Sequence, residues 1–146
     1  MKFADFFTGQ VITAGPVTVT HEEIIAFARA YDPQWFHTDP ERAAESRWNG
    51  LIASGWHSCA IAMRLAVDKA LTGSESFGSP GLEYLKWLAP VRPGDALSLR
   101  AEVLDKRRSD RQPGLGILRW RWLLLNQDGQ RVLDLTATSF FDVPDA

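Results

Sequence analysis

The sequence predicts an α+β fold, with one long buried helix packed against an antiparallel sheet. Three observations carry this expectation. The apolar period changes from helical to alternating about half-way along the chain. The stretch from Gly55 to Leu71 is rich in Ala, Leu, Met and Ile with few charges, as expected of a central, covered helix. The β-like segments of the second half are separated by turn signals, the clearest being Asp128-Gly129.

Each element follows from local chemistry. Residues 11–19 form a short β segment, with Pro16 favouring an edge or an irregularity. Thr20 and Glu23 make a capping-box pattern, and Ile24, Ile25, Phe27, Ala28 and Tyr31 follow at helical spacing. Asp32-Pro33 stops that helix, because the residue before proline avoids the α region. The stretch YDPQWFHTDP (31–40), with two prolines, is expected to be neither regular helix nor strand. Asp39 caps and Pro40 opens a short helix over residues 41–48, which ends near Asn49-Gly50. Gly73 punctuates the long helix. Strands are expected over residues 81–89, 96–108, 115–126 and 130–142, with Trp120, Trp122 and Leu124 on one face of the third.

At 146 residues the chain is most economically one domain, 1–146, long enough to bury a sizeable core. Hydrophobic residues at 45% and charged residues at 23% are an ordinary globular balance and argue against disorder. A net charge of -2 gives no general attraction to nucleic acid or anionic lipid. The single cysteine, Cys59, excludes an internal disulfide and a multi-thiolate zinc site. No apolar run has signal or membrane-spanning length, so a cytoplasmic protein without a membrane partner is expected.

Asp32 and His37 are the first candidate site. A turn through PQWF brings the imidazole back beside the carboxyl, which makes an acid–base pair. Burial under Trp35 or Phe36 would raise the carboxyl's pKa and let it donate a proton. The alternative is a locally capping aspartate and a satisfied imidazole, and spacing alone leaves both open. A metal site from His37, Asp39 and His57 is disfavoured, since Asp39 is needed as a cap and His57 lies within the apolar helix. Cys59 lies in the same helix, where an inert thiol is the ordinary finding. Ser54-Gly55 opens the long helix and leaves N–H groups free to polarise a carbonyl oxygen, or else merely caps and packs. The run Lys106-Arg107-Arg108, with Arg111, reads as a solvated turn or a phosphate contact.

The segment YDPQWFHTDPERAAESRWNGLIASGWH resembles the signature region of the MaoC-like dehydratases, the R-specific enoyl-CoA hydratase branch of the hotdog superfamily. That pattern is an aspartate, a few residues including Asn-Pro, a histidine, then a hydrophobic stretch ending in a His-Gly helix start. GLEYLKWLAPVRPGDALSLRAEV is similar to the family's strand-turn-strand. The resemblance implies a hotdog fold, a long central helix wrapped by an antiparallel β-sheet. It also implies a hydro-lyase acting across the 2,3 double bond of an enoyl thioester, with no cofactor and CoA as part of the substrate. Asp32 and His37 take the catalytic positions, His37 as base toward water and Asp32 as acid, with the reverse left open. Gly55 takes the oxyanion position, and Gln34, Trp35, Ser54 and Trp56 are expected to contact substrate. A homodimer or higher homo-oligomer is implied as well. Three departures from the pattern stand out: Gln34-Trp35 replaces Asn-Pro, Ser54 replaces the helix-start histidine, and Met63 replaces a serine of some members. Trp35 is therefore expected to narrow the acyl entrance. Alternatives are a hotdog thioesterase, for which Asp68 is the only acid within the long helix, and a non-catalytic acyl-binding protein.

Overall fold

The computed structural model describes residues 1–144. Strand β1 (Val11–Thr18) leads through a capped helix α1 (His21–Tyr31) into two short helices, α2 (Trp35–Thr38) and α3 (Pro40–Ala44). The long helix α4 (Gly55–Ala66) continues as a π-helical turn over Val67–Leu71. Four strands then follow, β2 (Ser76–Trp87), β3 (Ala96–Arg108), β4 (Leu115–Leu125) and β5 (Arg131–Asp142). All pairings are antiparallel, and the order across the sheet is β1-β3-β4-β5-β2. This is the expected α+β arrangement of a helix wrapped by a sheet.

Three expectations need correction. The stretch read as irregular contains a helical turn, α2, in which the Asp39 N–H reaches the Trp35 carbonyl. The helix read over residues 41–48 stops at Ala44, and Ser46 turns the chain by donating to the Ala43 carbonyl. Strand β2 also starts earlier than the periodicity suggested, because its first half is exposed and shows no alternation. At the other edge β1 is irregular between Ala14 and Val17, the Pro16 neighbourhood.

The core lies between α4 and the sheet. On β4, Leu118, Trp120, Trp122 and Leu124 are buried, as their alternation requires. Trp120 is packed edge-on by Phe6 and donates its indole N–H to Ser139, so its polar edge is satisfied within the core. From the helix, Ala62, Leu65, Ala66 and Ala70 meet this layer. The small size of the three alanines brings the helix close to the sheet.

Candidate active site

The ends of α1 and α4 converge on one cavity of about 480 Å³, lined by Asp32, Gln34, His37, Gly55, Trp56, Trp87 and the Leu88–Val91 turn among others. Asp32 closes α1, its N–H still bonded to the Ala28 carbonyl. The Gln34 N–H then bonds back to the Asp32 carbonyl, and the α2 turn carries His37 around toward α1. A buried segment without regular structure, residues 51–54, supplies Ile52 and Ala53 to the wall. The Ile52 N–H bonds the Phe36 carbonyl and the Ala53 N–H bonds the Val91 carbonyl, tying α2 to the turn before β3.

His37 is buried, with Nδ1 2.8 Å from the Ile52 carbonyl oxygen. A carbonyl can only accept, so Nδ1 carries hydrogen. Nε2 then faces Asp32 Oδ2 at 3.2 Å. A bare lone pair against a carboxylate would repel, so one proton lies between them. Ser54 is fully buried and donates its hydroxyl to the same Oδ2 at 2.7 Å, while Gln34 donates its amide to Oδ1 at 2.7 Å. Burial pushes the Asp32 carboxyl up, but the Gln34 and Ser54 hydrogen bonds and the His37 charge outweigh it and hold it below its ordinary value. This is opposite to the expected raised carboxyl, because the three partners together outweigh the upward push of burial.

Ser54 spends its hydroxyl on Asp32 and does not cap α4. The Gly55 and Trp56 N–H groups consequently have no acceptor among the described residues. They lie at the positive end of a helix and at the wall of the cavity.

Residues 5–118 match the family described as MaoC like domain. The chain belongs to that family. The MaoC-like chain is 34% identical over 134 residues to the uncharacterized protein YdeM of Bacillus subtilis, spanning 92% of this chain and 94% of the relative. It is 39% identical over 90 residues to 3-hydroxyacyl-thioester dehydratase Z of Mycobacterium tuberculosis, spanning 60% of each chain. Among solved structures, it is similar to the MaoC-like dehydratase of Rhodospirillum rubrum, with a TM-score of 0.89 and 36% identity over 98% of this chain and 97% of that one. It is also similar to the unliganded R-hydratase of Pseudomonas aeruginosa, with a TM-score of 0.79 and 26% identity over 99% and 86%. The fold is therefore that of the hotdog superfamily, and the family supports hydratase or dehydratase chemistry in general.

Within this MaoC-like domain the remaining candidates separate. Trp35 lies off the cavity wall, under the Arg42 guanidinium at 4.3 Å and against Phe36, so it does not narrow the entrance. Ser54 touches Asp32 and is fully buried, which places it behind the carboxylate. Trp56 stands between this cavity and a second, more apolar one of about 580 Å³ that holds Cys59, Met63, Leu82 and Trp122 in its wall. Asp39 caps α3, His57 stacks on Phe27, and burial pushes the Cys59 thiol up. Asp68 is exposed and paired with Arg64 at 2.8 Å. Lys106 and Arg108 bond the Phe6 and Val143 carbonyls at the far end of β3 from the cavity.

Trp48, Trp87 and the Leu88–Val91 turn were not anticipated as wall residues. A hypothetical Cβ on Gly55 would lie 2.6 Å from Trp87 Nε1, so the glycine admits the indole. No local signal marks this contact, which depends on how β2 ends relative to α4.

Proposed function

We propose that the protein adds or removes water across the 2,3 double bond of an enoyl thioester, in the form of an acyl-CoA. The observation that carries this reading is the Asp32–His37 pair, 3.2 Å apart, on the same cavity as two unpartnered helix-start N–H groups. The thioester carbonyl oxygen, placed at the Gly55 and Trp56 N–H groups, gains charge as the enolate forms and is stabilised there. The acyl tail passes Trp56 into the second cavity.

In hydration the Asp32 carboxylate accepts a proton from water as the oxygen attacks C3, and the protonated Nε2 of His37 gives its proton to C2. The direction of the Asp32 shift supports this assignment over the reverse. Each turnover leaves the carboxyl protonated and the imidazole neutral, and transfer between Oδ2 and Nε2 restores the pair. Dehydration runs the same steps backward. Nδ1 stays bonded to Ile52, which keeps the reacting nitrogen aimed at the cavity.

A homodimer fits the same reading. The Leu82–Trp87 half of β2 is a sheet edge with exposed Leu82 and Trp87 beside exposed Trp56 and Met63 of α4. These form an apolar face of the kind that a second copy covers.

The test is incubation with 2-enoyl-CoAs of several chain lengths, following loss of enoyl absorbance alongside a free-thiol assay. Hydration without thiol release is expected. Thiol release would point to a thioesterase, and binding without either reaction would overturn the catalytic reading.

A further inference from the structure

Four arginines of the described chain are half-buried: Arg92, Arg100, Arg119 and Arg121. Three of them face a carboxylate, Arg100 with Glu102, Arg119 with Glu83 and Arg121 with Asp134. The Arg92 side chain alone has no hydrogen-bond or ion-pair partner among the described residues. The acid nearest in sequence, Asp95, is already engaged. One of its oxygens accepts the Arg92 backbone N–H at 2.9 Å, and the other accepts the Gln127 amide at 3.0 Å.

Partly desolvating a guanidinium without an anion is unfavourable, and elsewhere in this protein it is avoided. The position of Arg92 suggests what is missing. It directly follows Val91, a wall residue of the Asp32–His37 cavity. Its guanidinium packs against the Asn49-Gly50 turn, with Nη1 3.6 Å from where a Gly50 Cβ would stand. That turn follows Trp48, another wall residue, and Arg47, an exposed arginine. An unpaired cation therefore follows one wall residue in sequence and packs on the turn that comes after another.

We propose that Arg92 is a binding residue for the phosphate of the phosphopantetheine arm that carries the thioester, with Arg47, shortly before the turn that Arg92 packs on, as a second cation. The identity of the arm rests on the hydratase reading above. The long pantetheine chain separates phosphate from thioester, so the cation that reads the phosphate stands at the rim and not beside His37. The guanidinium fork suits two phosphate oxygens at once, which an ammonium does not match.

The test compares enoyl thioesters of CoA, phosphopantetheine and phosphate-free pantetheine. For Arg92→Gln, the ratio of kcat/KM with phosphopantetheine to that with pantetheine is expected to fall about tenfold, the size of one lost charge-assisted contact. Arg92→Lys should fall between. An unchanged ratio overturns the proposal, as does a loss seen with CoA alone, which would assign Arg92 to the nucleotide phosphates. The phosphate is common to CoA and to an arm borne on a carrier protein. Wild-type turnover of the two tells which source serves, and Arg92→Gln should lower that one. Calorimetric binding of phosphopantetheine against pantetheine to the same variants needs no turnover. A phosphopantetheine preference lost in Arg92→Gln supports the site even if no hydration is seen, and an intact preference sinks it even if hydration is fast.

Discussion

Asp32 is surrounded by three donors, and its behaviour is the property of that group as a whole. Asp32→Asn keeps the shape but cannot take a proton, and should lower kcat by about 10²–10⁴-fold with little change in folding. Steady-state hydration kinetics checks this, and an Asn variant of full activity would exclude the pair. The pH profile tests the surroundings. With the carboxyl held below its ordinary value of 3.8, the acid limb due to Asp32 lies below that value. The same shift stabilises the fold fully above the unfolded value and is lost as pH falls through the native one. Ser54→Ala and Gln34→Ala each remove a donor, so each should move the acid limb upward. A limb that stays put in both would mean the hydrogen bonds do not tune the group. The aspartate and histidine were legible in the sequence, because their spacing and the Asp32-Pro33 stop are local. The Ser54 contact was not, since it joins residues from the end of one helix and the start of another.

Among the elements, the packing of α1 on α4 sets where Asp32 meets Ser54. Phe27 of α1 lies flat on His57 of α4, with ring centroids 4.6 Å apart and planes 6° from parallel. Burial pushes the His57 imidazole down, against a smaller upward pull from Glu23. A depressed histidine is neutral in the fold but protonates when the chain unfolds. Its contribution to stability is therefore complete above its ordinary value of 6.5 and lost as pH falls from there toward the native value. Urea denaturation between pH 7 and pH 5 should show this decline, and His57→Phe should flatten it. At the start of α4, Gly55→Ala would drive a methyl into Trp87, with an expected loss of about 1–3 kcal/mol. Trp87→Ala in the same chain should recover stability, read as a rise in Tm. The helices and strands were largely visible from period and caps, whereas the α2 turn was hidden because two prolines flank it.

At the scale of the whole molecule, the two sheet edges differ. The β1 edge carries Pro16 and a register irregularity, both of which discourage pairing with another chain. The β2 edge is regular from Tyr84 to Trp87 and is bordered by exposed apolar side chains. If two copies pair there, Tm should rise with protein concentration, since assembly stabilises only the folded state. Sedimentation of the wild type beside Leu82→Lys should show a dimer that the substitution weakens. A wild type that remains monomeric at high concentration would rule the interface out. The fold class was readable because period-two and helical patterns occupy separate halves of the chain. Which edge stays open was not, because edge status depends on strand order.

The Ser54 hydroxyl can serve either the α4 terminus or Asp32, and it serves Asp32. A helix start without its cap forgoes about 1 kcal/mol. The hydroxyl exchanges that cap for a contact to a carboxylate, which itself favours the folded chain at neutral pH. One side chain thus ties the durability of the fold to the acidity of its reacting group, and neither can be altered at this position without the other.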